Sequence, residues 1–134
     1  MYSFRKSKKG FTLIELMVVV AIIGVLALLG LRTYTGQQEK AKNAIVKANV
    51  GTIQTLIQAE LADETAATVW TGIDALFVAS GIHNPFTGLP QTANGTAGTG
   101  AGDVYVTVFG DVFTINGNDA KITPVYTTAL TARK

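Results

Sequence analysis

Glu15 is the only ionisable side chain between Phe11 and Leu31, a stretch of 21 residues that is otherwise apolar apart from Thr12. A carboxylate in such a run costs roughly 2.5 to 3.5 kcal/mol at the centre of a membrane span and less near an end. The chemistry it invites is pairing. Cleavage between Gly10 and Phe11 would create an α-ammonium at Phe11, and the ammonium of a neighbouring copy could neutralise Glu15 where water cannot. Two charges that are each unfavourable alone then mark one axial stagger between chains. The remaining candidates offer less. His83 is the single histidine and has no cysteine or carboxylate cluster beside it, so it reads as a loop residue. GTGAG, Gly98 to Gly102, lacks the lysine of a phosphate loop and a strand-to-helix setting. Asp103, Asp111 and Asp119 recur every eight residues, but no EF-hand pattern surrounds them and they read as turn residues. The absence of cysteine excludes disulfides, thiolate metal sites and cysteine nucleophiles together. The residues therefore predict no enzyme, no cofactor and no metal.

The elements that position Glu15 begin with charge. Arg5, Lys6, Lys8 and Lys9 precede the apolar run, and the other seven basic residues of the chain face nine acidic ones. The pI of about 9.0 is thus a property of the first ten residues and gives no footing for nucleic-acid binding. A secretory signal is cut after its apolar region, whereas here the small residue, Gly10, comes before it. Residues 1–10 read as a basic leader cleaved after Gly10. As a helix at ~1.5 Å per residue, Phe11 to Leu31 would reach about 31 Å, which matches a hydrocarbon core of ~30 Å. The basic cluster predicts a cytoplasmic N-terminus, with everything after Arg32 on the far side.

Residues 32–70 continue the helical signal without a proline. Val46, Val50, Ile53, Ile57 and Leu61 step by 4, 3, 4 and 4, one face of an amphipathic helix. The stripe covers little more than two heptads, short of the three to four that a coiled coil requires. One helix is predicted from about residue 12 to about residue 66. Gly24 and Gly30 each weaken it by roughly 1 kcal/mol relative to alanine and are where it would loosen, within Gly24 to Gly36. Glu39 and Lys42 are spaced for a surface ion pair.

Residues 71–134 read as a small head. TGIDALFVASG predicts a short helix with Thr71 as N-cap and Gly81 closing it, with Leu76, Phe77 and Ala79 entering the core. His83 to Pro90 has turn chemistry throughout, and Thr92 to Gly102 reads as a surface loop containing the sequon Asn94-Gly95-Thr96. Three β-rich runs follow: Val104 to Phe109, Val112 to Ile115, and about Lys121 to Tyr126. They predict an antiparallel sheet with Val104, Val106 and Val108 on one face. The fold class is α+β.

The stretch KKGFTLIELMVVVAIIGVLALLG resembles the processing site and N-terminal helix of bacterial type IV pilins and pseudopilins, over about 25 of the 134 residues. NPFTG resembles the loop after the short helix in many cysteine-free pilins. The resemblance implies the type IV pilin fold: a long N-terminal helix, transmembrane in its first half, laid by its second half across a small antiparallel sheet. It implies that prepilin peptidase cuts after Gly10, that Phe11 becomes the N-methylated first residue, and that Glu15 is the assembly glutamate. The family usually has proline eight residues after Gly24, and this chain has Arg32. The implied partners are further copies of the chain in a helical homopolymer, the peptidase, the inner-membrane assembly machinery, and lipid before assembly. The implied product is an extracellular filament drawn from an inner-membrane precursor. The alternatives are a type II secretion pseudopilin and a minor pilin serving as adhesin or DNA receptor. Lys121, Arg133 and Lys134 are the only basic residues after Lys47, too few for a phosphate track.

Overall fold

The structure is a computed structural model and describes residues 10–92 and 98–134. The leader cations and the Asn94 sequon lie outside the described residues. Two compact units meet at Gln37 and Gln38 along the chain.

Helix α1 runs from Leu13 to Asp63 and is continuous through Gly24, Gly30 and Gly36. It closes three residues before the expected end. In the first unit its large apolar side chains, Leu13 through Leu31, are all about half exposed or more. In the second unit Val46, Val50, Ile53, Ile57 and Leu61 are 0–1% exposed, the stripe that the 4-3-4-4 spacing predicts.

Two short helices follow where one was expected. Thr65 caps α2, Ala66–Thr71, by accepting the Thr68 N–H on its hydroxyl at 3.3 Å. Helix α3, Ile73–Ser80, starts from Gly72 with no side-chain cap. Thr71 is therefore not an N-cap. It lies inside α2, and its hydroxyl donates to the Ala67 carbonyl at 2.9 Å. Gly81 closes α3 in the left-handed region at φ 66°, where a glycine pays no Cβ penalty. Phe77 is buried as expected and Leu76 is half-buried, but Ala79 is exposed and Ile73 takes the inward place.

The sheet has order β1-β2-β3 and is antiparallel throughout: β1 Val104–Phe109, β2 Val112–Gly117 and β3 Leu130–Arg133. Gly110, at φ 61°, makes the two-residue β1–β2 turn. Lys121 to Tyr126 is not a strand. Asp119 Oδ1 accepts the N–H groups of Lys121 at 2.8 Å and Thr123 at 3.0 Å, and Asn116 engages Tyr126. Side chains thus hold as turns the backbone that a ladder would need. The third strand forms instead from Leu130–Arg133, pairing Ala132 with Phe113.

Val104, Val106, Phe113, Ile115 and Ala132 face the α1 stripe and share one core with Ala66, Val69, Ile73 and Phe77. Trp70 tilts onto Phe113 with ring centroids 6.3 Å apart. Close approach requires Gly117: a Cβ there would lie 2.6 Å from Val46 Cγ1 and 3.0 Å from Val50 Cγ2. The exposed edge of β3 is met by α1. Gln54 donates to the Thr131 carbonyl at 2.8 Å, and Gln58 both donates to the Arg133 carbonyl at 2.9 Å and accepts its N–H at 3.1 Å. These glutamines close an edge that would otherwise invite another strand.

Candidate functional site

The N-terminus of α1 is built by a reciprocal cap. Thr12 N–H donates to Glu15 Oε2 at 3.0 Å, and Glu15 N–H donates to Thr12 Oγ1 at 3.3 Å. This is the capping box of Ser/Thr followed three residues later by Glu/Gln, and it satisfies two backbone donors that the first turn leaves open. A carboxylate in the first turn also meets the positive end of the helix dipole. Glu15 therefore has work within its own chain, through one oxygen. Phe11, just before the cap, is 87% exposed. The most apolar stretch of α1 is long enough to cross a membrane and has no residue buried within the chain.

The head carries a second polar construction, in the loops between α3 and β1 and after β2. Asn49, Asn84, Gln91, Asn116 and Asn118 are buried, and each side chain is hydrogen-bonded. Asn84 Oδ1 accepts the N–H groups of Phe86 and Thr87, while its Nδ2 donates to the Ala101 carbonyl and to Asp103 Oδ1. Gln91 donates to the Gly102 carbonyl at 2.6 Å and accepts the Val104 N–H at 3.2 Å. Asn118 donates to the carbonyls of Gly98 and Gly100, and Asn49 of α1 donates to the His83 carbonyl. Five amide side chains thus tie together segments far apart in sequence. NPFTG owes its shape to Asn84, and GTGAG is a strap held by Asn118 and Asp103 rather than an anion cradle.

The other candidates are placed separately. Asp103 accepts the Gly100 N–H, Asp111 lies exposed in the β1–β2 turn, and Asp119 folds its own turn. Hydrogen bonds from Thr123, and then from Lys121, hold the Asp119 carboxyl below the ordinary carboxylate value. Among the described residues no group of three or more His, Cys, Asp or Glu side chains could hold a metal ion. His83 Nδ1 sits 2.9 Å from the Gly81 carbonyl. Lys42 lies over the Phe86 ring, 5.2 Å from its centroid, rather than pairing with Glu39.

Residues 5–31 match the family model described as the prokaryotic N-terminal methylation motif. The chain is 39% identical over 87 residues to fimbrial protein EcpB of Eikenella corrodens, covering 65% of this chain and 54% of that one. It is 38% identical over 73 residues to the type IV major fimbrial protein FimA of Dichelobacter nodosus, covering 52% and 47%. The chain belongs to the type IV pilin and pseudopilin superfamily. This pilin is also 34% identical over 91 residues to type II secretion system core protein G of Pseudomonas aeruginosa, covering 67% of this chain and 60% of that one. The chain spans about half the length of these fimbrial relatives. No solved structure matches it.

The fimbrial relatives that it matches are structural pilins, a family that is not enzymatic. The capping role of Glu15 is an addition to the sequence reading, and its signal is the capping-box spacing of Thr12 and Glu15. The amide clasps of the head left no such signal, because an asparagine in a turn-rich segment looks the same whether it faces solvent or a distant carbonyl.

Proposed function

We propose that this pilin is the structural subunit of an extracellular type IV pilus. It is held in the inner membrane by residues 11–31, cut after Gly10 by prepilin peptidase, N-methylated at Phe11, and assembled by packing those segments into the core of a helical filament. The observation that carries this reading is the run from Leu13 to Leu31, apolar apart from Glu15 and covered by none of the described residues. Assembly moves it from one apolar medium to another, so the hydrophobic gain is small. Close packing and the pairing of Glu15 with a neighbour's Phe11 ammonium must supply the preference. A head-to-tail contact that does not close gives a filament rather than a ring. Gly24 and Gly30 mark where the segment can loosen during packing, a role that the missing proline at Arg32 leaves to them.

A second reading, a type II secretion pseudopilin, is favoured by the match to core protein G. Shearing the cells separates the two: long surface fibres of this chain support the pilus, and their absence supports the pseudopilin.

The charge of Glu15 and its cap separate in two variants. Glu15→Gln keeps an N3 residue able to cap but removes the charge, and Glu15→Leu removes both. Both variants are expected to lose surface filaments while the processed subunit accumulates in the membrane. The intact mass of sheared material should begin at methylated Phe11. Wild-type yield from Glu15→Gln would overturn the pairing.

A further inference from the structure

A groove of about 490 Å³ opens between the end of α1 and helices α2 and α3. Leu56, Val69, Ala75 and Leu76 give it an apolar floor, and Glu60 and Glu64 line one side. Lys134 reaches this end of α1 but is spent on the Glu64 main-chain carbonyl, at 2.7 Å. Elsewhere on the head is a shape of the opposite character. Ile122 is the one non-glycine among the described residues at positive φ, 59°, and it is 52% exposed next to the exposed Lys121. A β-branched residue strongly resists that conformation. Asp119 enforces it, accepting from Lys121 and Thr123 on its side chain and from Ile122 on its carbonyl. Strain held in place by surrounding bonds, with an aliphatic side chain turned to solvent, gains nothing for the isolated head.

We infer that the Lys121-Ile122 turn of one copy seats in the α1–α3 groove of a second copy, Ile122 on the apolar floor and the Lys121 ammonium against Glu60 and Glu64. The occupant follows from complementarity: an apolar knob beside a cation meets an apolar floor beside two carboxylates, and both surfaces belong to the same chain. The contact is heterologous, since groove and knob are different patches, so it propagates from copy to copy. It rests on the filament reading above and adds a head-to-head contact to the packing of residues 11–31.

The chain contains no cysteine, so introduced thiols report cleanly. Full-length chains carrying Ala75→Cys together with Lys121→Cys are expressed, sheared and mildly oxidised. A ladder of disulfide-linked oligomers is expected from the double variant, and monomers alone from each single one. Lys121→Glu should lower filament yield, and adding Glu60→Lys should restore it. Ile122→Gly should raise the thermal stability of the detergent-solubilised chain while weakening the filament. If the unmodified chain makes no filaments, the pilus reading fails. If filaments form but the double variant gives no ladder, or Ala75→Cys alone gives disulfide-linked dimers, this contact alone is overturned.

Discussion

Helix α1 carries apolar residues in two settings. From Leu13 to Leu31 they cover every side and all remain exposed within the chain. From Val46 to Leu61 they are confined to one stripe and vanish beneath the sheet. The difference lies in arrangement rather than in residue type, since Val, Ile and Leu serve both. A helix apolar all round needs a continuous apolar medium, and none of the described residues supplies one to this segment. A helix with one stripe needs only a small sheet. One segment thus specifies a subunit's own fold, and the other specifies what it must find outside itself.

Changes in the striped half should cost the head its stability, with Trp70, packed on Phe113, reporting the transition by fluorescence in the detergent-solubilised full chain. The largest loss is expected from Phe113→Ala, about 3 to 5 kcal/mol by cavity formation under the sheet, read as a fall in the urea midpoint. Gly117→Val drives methyl groups into Val46 and Val50 and should cost about 1 to 3 kcal/mol. Gln58→Ala opens the β3 edge and should cost about 1 kcal/mol, with faster amide exchange at Arg133.

Acidification should act more weakly. Because the Asp119 carboxyl is held below its ordinary value in the folded chain, its contribution is present above the usual carboxylate range of about 3.9. It is lost as pH falls through the folded value, and Asp119→Asn should remove that part of the acid sensitivity. The smallest effect belongs to the other half of α1. Leu26→Ala should leave the Trp70 transition where it was, and a shift as large as that of Phe113→Ala would erase the distinction between the halves.

Local patterns were the legible part of this molecule. The 4-3-4-4 spacing placed the α1 stripe, alternation placed β1, and Gly81 marked the end of α3. What escaped was set by distant partners. Leu130–Arg133 carries little strand character of its own and is drawn into the sheet by β2 on one side and by Gln54 and Gln58 on the other. Ile122, Val125 and Tyr126 have the composition of a strand, but Asn116 and Asp119 capture the backbone first. Thr71 had the right residue type for a cap, but α3 starts from Gly72 with no side-chain cap, and the capping threonine is Thr65, at the start of α2. In the candidate site, Glu15 was conspicuous as a charge in an apolar run. Its bonds to Thr12 rest on an equally local signal, the three-residue spacing of a capping box.

The buried amides of Asn84, Gln91, Asn116 and Asn118 close loops with bonds that contain no sulfur. Their formation consumes no oxidant and needs no thiol catalyst, and a reductant has nothing in the head to attack. Folding of the head therefore needs no electron-accepting step, and its loop closures are indifferent to the redox state of whatever surrounds it.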